Sequence, residues 1–227
     1  MATNNFDIVK KTLINGCRYL STMKSNEIYD GYWKSGLHPD PHWSDQRIEK
    51  EFSHLAGKEN LLDYGCGLIS RKYGDVLARS RKSYMGADIS PYIVSENQCE
   101  GFACQTIDPS SGKLDLPSNS FDGAVCGEVF EHLYDPLAAA TEIHRLLKPG
   151  GRFVAMVPHF GYHAWRIQAL LRAQVPHEPE KPEINRYNGV HIRYFSMLTF
   201  KRLLEDAGFT KVKIMAYDFC LFDVSSG

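Results

Sequence analysis

No stretch of this chain approaches the ~20 consecutive apolar residues that a membrane-spanning helix requires. A basic start followed by an apolar run and a small-residue cleavage site is also missing. The expected location is therefore the cytoplasm, with no membrane partner. Net charge is nearly absent: the formal value is −1, so no global field draws the molecule to nucleic acid or anionic lipid. A local basic patch is still allowed. Internal repeats and low-complexity tracts are absent as well. The cysteines, at 17, 66, 99, 104, 126 and 220, contain no C-x-x-C pair, which removes the common zinc and dithiol redox motifs. Cys66 and Cys126 fall in apolar strand-end segments and read as reduced, buried thiols.

What is present is a chain of 227 residues, 43% hydrophobic and 23% charged. That suffices for one α/β domain with a modest appendage. Residues 1–57 read as an N-terminal helical and aromatic cap. Phe6, Val9, Leu13, Cys17 and Leu20 share one helical face, a surface for capping or for a homodimer contact. Tyr32 and Trp33 follow in a turn-rich aromatic stretch, and a second helix is expected over 44–55. From residue 58 to 227 short apolar runs alternate with helical patterns, the signature of a parallel sheet with crossover helices. The expected strands are 60–64, 83–88, 102–107, 121–127, 151–157 and 209–217. The expected helices are 71–80, 91–98, 136–147 and 197–207. The predicted fold is α/β, Rossmann-like and doubly wound, with a mostly parallel sheet. An insertion over 158–194, after the fifth strand, breaks the alternation. It is Pro-rich and leans basic, and a connection of that length is often functional.

Asp63-Tyr64-Gly65-Cys66-Gly67 follows directly on the first apolar strand. Glycines there let the backbone turn tightly and come close to a ligand. The next strand ends in Gly86-Ala87-Asp88, and an acid at that place can accept hydrogen bonds from both hydroxyls of a ribose. A helix N-cap is the alternative use of Asp88. Together the two features favour a nucleoside ligand.

Five segments occur in order: Leu61 to Gly67, Gly86 to Pro91, Leu116 to Asp122, Glu128 to His132, and Arg145 to Gly151. With the closing His191-Ile192-Arg193-Tyr194-Phe195-Ser196 and Leu203 to Phe209, they resemble the successive motifs of the class I S-adenosylmethionine (SAM) dependent methyltransferases. The likeness is greatest to the type 11 group that includes the ubiquinone-pathway enzymes, and covers residues 58–217 without the insertion. It implies SAM as cofactor, with Asp63, Gly65, Cys66 and Gly67 on the methionine side. Asp88 would hold the ribose, Ile89 would pack on the adenine, and Gly127 would lie below the sulfonium. Asp108 is preferred to Asp115 as the acid near the adenine. Three departures stand out. Ile69 occupies the place of the family's third loop glycine, so the helix start is expected to pack differently. The segment from Asp108 to Asp115 is longer than usual. The tail after Tyr217 looks short for the family's final antiparallel strand.

Methyl transfer needs the acceptor aligned and desolvated, and a hydroxyl acceptor gains from a general base. His132 and His159 are the expected catalytic residues, since both follow strands that should end near the methyl group. Tyr32, Trp33, His163 and His191 are expected to contact substrate, though Tyr32 and Trp33 could equally serve as core of the cap. Glu128-Val129-Phe130-Glu131-His132 also resembles the metal-binding stretch of ubiquinone O-methyltransferases and small-RNA 2′-O-methyltransferases. Glu131-His132 is a frequent helix-start pair in metal-free members too, and no metal is assigned. The expected acceptor is a hydroxyl on a small molecule or glycan precursor. Rival functions are a non-catalytic SAM-binding regulator and a nitrogen- or RNA-directed methyltransferase, nucleic acid being disfavoured by the charge. A nicotinamide reductase is disfavoured because Leu68, Ile69 and Ser70 after Gly67 do not complete G-x-G-x-x-G.

Overall fold

In the computed structural model the described residues are 25–34, 50–69, 83–159, 166–167, 170–171, 191–216 and 219–226. The elements in chain order are α1 (Ser25–Lys34), β1 (Asn60–Tyr64), β2 (Ser83–Asp88), α2 (Pro91–Cys99), β3 (Cys104–Thr106), β4 (Phe121–Gly127), α3 (Pro136–Leu146), β5 (Leu147–Pro158), α4 (Met197–Asp206), β6 (Phe209–Ala216) and β7 (Phe219–Ser226). A helical turn over 50–53 precedes β1, and a 3₁₀ turn, Phe130–His132, follows β4. The expected helices over 6–23 and 71–80, and His163, lie outside the described residues.

The seven strands form one sheet in the order β3-β2-β1-β4-β5-β7-β6. Strands β1 to β5 pair in parallel, and β7 runs antiparallel between β5 and β6. Both faces are covered, which is why the central strands read as continuous apolar runs rather than alternating ones. Leu62, Ala124, Phe153 and Ala155 join Ile143 of α3 and Phe200 and Leu204 of α4 in one buried layer. Leu61, Val125, Val154 and Met156 face the other way and pack with Ile93 of α2 and with Phe52 and Leu55. That two-sided burial is the doubly wound arrangement.

The helices start where side-chain chemistry satisfies their first amides. Ser90 caps α2, Asp135 caps α3 ahead of Pro136, and Ser196 with Thr199 forms a capping box on α4. The proline-glycine stop after α3 begins β5 four residues earlier than expected, because Leu147 pairs with Phe121 before a register shift. The largest difference is β7. The supposed short tail is a strand bonded to both neighbours. Phe222 and Val224 point into the core, and Asp223 between them is buried at 5% exposure. Asp223 accepts from Arg152 Nε at 2.6 Å and from Arg152 Nη2, and it meets His54 Nδ1 at 3.2 Å.

Candidate active site

In an open parallel sheet the ligand crevice lies beyond the strand C-termini, where neighbouring strands lead to opposite faces. Here that place is between β1 and β4. Asp63 pairs with Val125, so Gly65 and Gly127 each stand two residues beyond that pair, on adjacent strands. Gly65 has φ +82° and Gly67 φ +56°, values a side chain rarely tolerates. The Gly65 and Cys66 amides both donate to Ala87 O, at 2.7 and 3.0 Å, which ties the loop to the end of β2. The Gly67 amide donates to Asp88 Oδ2 at 3.0 Å, and Ser90 N donates to Oδ1 at 2.9 Å. Asp88 is thus held against the loop, while the cap of α2 is Ser90. A carboxylate offers about four acceptor positions, so a pair of ribose hydroxyls suits the same group.

Asp63 is 1% exposed. Its Oδ2 accepts from Tyr84 OH at 2.7 Å, while its Oδ1 is buried with no hydrogen-bond partner among the described residues. That orphaned atom at the foot of the loop fits a ligand carrying a donor such as an ammonium group. The Cys66 thiol points into the core, 3.7 Å from Cys104 Sγ, so only its backbone is offered to the crevice. Burial pushes this thiol up from its ordinary range. Ile69 fills the place of the third glycine. Its amide donates to Asn97 Oδ1 at 3.0 Å and its side chain packs over Gly86. Ile89 is half-buried just after Asp88. Asp108 lies beyond β3, with Oδ1 accepting from Ser110 N at 2.7 Å and from Ser110 Oγ at 2.5 Å. These bonds, the Ser110 hydroxyl foremost, hold its carboxyl below the usual range. Asp108 and Asp115 both border a surface depression of about 500 Å³.

The other half of the crevice follows β4. Glu128 has φ +56°, uncommon for a residue with a side chain, and its amide donates to Met156 O at 2.9 Å. The chain then turns through Phe130–His132. His191 reaches this turn from a distant segment because Ile192 N and Arg193 N both donate to Glu131 O, at 3.0 and 3.2 Å. Arg193 adds Nε to Leu133 O at 2.7 Å and Nη2 to Tyr134 O. The outcome is a compact group. His132 Nε2 and His191 Nε2 each lie 3.8 Å from Glu131 Oε1. The two imidazoles meet edge to face at 4.8 Å, and Tyr29 of α1 meets His132 edge-on at 6.3 Å. Possible ligand atoms of Glu131, His132 and His191 lie within 4.8 Å of one another. Both Glu131 carboxylate oxygens are buried and accept no hydrogen bond among the described residues. Burial first, then the charges of Glu128 and Glu51, push this carboxyl well up. Burial likewise raises the Tyr29 phenol, with Glu131 and Asp88 adding to it.

The structure therefore brings His132 and His191 together and leaves His159 apart, at the end of β5, where it bridges to Phe195. Burial, then the Arg166 charge, lowers the His159 imidazole. Trp33 packs against the layer containing Leu61 and Ile69. Tyr32 lies in α1. α1 itself is held over the end of β2, where Asp30 accepts from Ser90 Oγ and, at 3.2 Å, from Tyr92 N. Tyr29 and Glu51 were not singled out from the sequence. The sequence reads the stretch around Tyr29 as turn-rich, whereas that residue and Tyr32 and Trp33 lie in the helix α1, and nothing in the chain near Glu51 marks it.

A methyltransferase domain model matches residues 42–214. The chain belongs to the class I SAM-dependent methyltransferases. A probable S-adenosylmethionine-dependent methyltransferase of Mycolicibacterium smegmatis is 26% identical over 177 residues, 77% of this chain and 62% of that protein. A ubiquinone biosynthesis O-methyltransferase of Xanthomonas oryzae is 32% identical over 108 residues, 43% of this chain and 42% of its own length. The chain thus spans less than two thirds of either relative. Among solved structures, a SAM-dependent methyltransferase from Thermotoga maritima, described as a possible histamine N-methyltransferase, shares the fold. Its TM-score is 0.62 at 17% identity, covering 89% of this chain and 99% of that one. SAM is the cofactor of the family, and no helix among the described residues of this methyltransferase is long and apolar enough to cross a membrane.

Proposed function

We propose that this methyltransferase methylates a hydroxyl of a small molecule or glycan precursor, with His132 as the general base. The supporting observation is the convergence of Glu131, His132 and His191 beside the end of β4. Asp63, the amides of the Gly65-Cys66-Gly67 loop, Asp88, Ile89, Asp108 and Gly127 would hold SAM. When bound, it supplies an electrophilic methyl on a sulfonium. The chain's own tasks are then to orient the acceptor, exclude water and take one proton. His132 Nε2 takes it, with Glu131 Oε1 3.8 Å from that nitrogen and the His191 ring packed edge to face against it. His159, Tyr32, Trp33 and His163 complete the substrate side. The named O-methyltransferase relative agrees with a hydroxyl acceptor, and the buried cysteines Cys66 and Cys126 suit a reducing cytoplasm.

A SAM-consumption screen over sugar-nucleotide, phenolic and carboxylate acceptors tests this reading. Turnover should appear with a hydroxyl compound and fall about 10²-fold or more in His132→Ala, with the affinity for SAM retained. Turnover confined to amines, or undiminished in the variant, would refute it.

A second reading rests on the orphaned Glu131 oxygens. The same three side chains could hold a divalent cation, which would polarise the acceptor hydroxyl. A buried carboxyl pushed up by its surroundings is either protonated or matched by a cation, and two imidazoles beside it suit the latter.

A further inference from the structure

Glu51 is 1% exposed. It rests on Gly127: a Cβ there would stand 2.6 and 2.9 Å from its two oxygens. The position is firmly built. Phe52 and Leu55 are buried in the layer with Leu61 and Val125. His54, one turn along, meets Asp223 on β7. Residues 54, 55 and 56 close turns onto the carbonyls of 51, 52 and 53. Gly123 and Gly127 lie on one face of β4, four residues apart. A Cβ at Gly123 would meet Leu55 Cδ2 at 3.3 Å. The two glycines thus form the groove in which this turn lies, and Glu51 is the residue it delivers to the crevice. Glu51 is also one of the charges that raise Glu131, so the negative potential extends across the end of β4.

We propose that Glu51 faces the sulfonium of bound SAM and sets the protein's preference for SAM over its uncharged product, S-adenosylhomocysteine. The inference rests on the placement of the cofactor at Gly65, Asp88 and Gly127 given above, and not on the identity of the acceptor. The sulfonium loses its charge when the methyl leaves, so an opposed carboxylate binds the cofactor before transfer more tightly than after it. Such a residue favours product release and weakens product inhibition.

Calorimetry with both ligands tests this without an acceptor. In Glu51→Gln the affinity for SAM should fall about ten-fold or more, while that for S-adenosylhomocysteine changes less than about three-fold. Equal losses for the two ligands, or no loss for SAM, would overturn the proposal. Asp88→Ala is the control for placement, because the ribose is common to both ligands and both affinities should fall together. If Asp88→Ala changes neither, the cofactor placement itself fails. Should Glu51→Gln not fold, wild-type protein still decides. Sinefungin, with a protonated amine in place of the methyl sulfonium, must bind more tightly than S-adenosylhomocysteine, and equal binding refutes the role of Glu51.

Discussion

Replacing Gly65 by Ala tests the loop that is proposed to hold the cofactor. Two costs are separable. The residue has φ +82°, and a left-handed backbone costs an L side chain about 1–2 kcal/mol. The new Cβ would also overlap Val129 Cγ2 and stand 3.1 Å from Cγ1, and overpacking of this kind costs about 1–3 kcal/mol. Together they amount to about 2–5 kcal/mol, a large share of the 5–15 kcal/mol typical of a domain. Val129→Ala removes the overlap and leaves the backbone penalty. In that background Gly65→Ala should cost only about 1–2 kcal/mol, so the cycle should show a coupling of about 1–3 kcal/mol. Urea denaturation of the four proteins, compared at constant slope, gives these values. Equal cost in both backgrounds would show that Val129 does not confine the loop. A Gly65→Ala protein within about 0.5 kcal/mol of wild type would refute the loop geometry altogether.

Two further outcomes are expected. Glu142 is buried and accepts from Leu114 N at 2.9 Å and from Arg145 Nε and Nη2 at 2.7 and 2.6 Å. Burial alone would raise its carboxyl, but the Arg145 bonds and the Leu114 amide outweigh it and hold it below the usual range. Its contribution is therefore present above the unfolded value of about 4.3 and is lost as pH falls through the lower folded value. Glu142→Gln should cost about 1–3 kcal/mol at pH 7, Arg145 being partly solvated, and stability curves below about pH 4.5 should be flatter than wild type. An unchanged acid limb would remove Glu142 from the account. For the cation reading, Mn²⁺ titrated into chelator-treated protein should bind, and His191→Ala should weaken it about ten-fold or more. Absence of binding to the wild type would leave Glu131, His132 and His191 as a proton-handling group only.

Local physics sets much of this protein from the sequence. Apolar runs such as 153–157 mark strands buried on both faces. Ser90, Asp135 and Ser196 mark helix starts, because their side chains satisfy amides within the next turn. The glycine turn and Asp88 can be read together as a candidate nucleoside site because one strand and one crossover fix their spacing. Tertiary structure alone decided the rest. His191 joins Glu131 and His132 only because the Ile192 and Arg193 amides bond to Glu131 O across a long interval of chain. Glu51 reaches Gly127 only because Phe52 and Leu55 are buried under β4. β7 is held in the sheet with a carboxylate in its middle because Arg152 and His54, both remote in sequence, bond to Asp223. Each of these rests on a partner many residues away, and a side chain's type and spacing carry no information about which distant group will meet it.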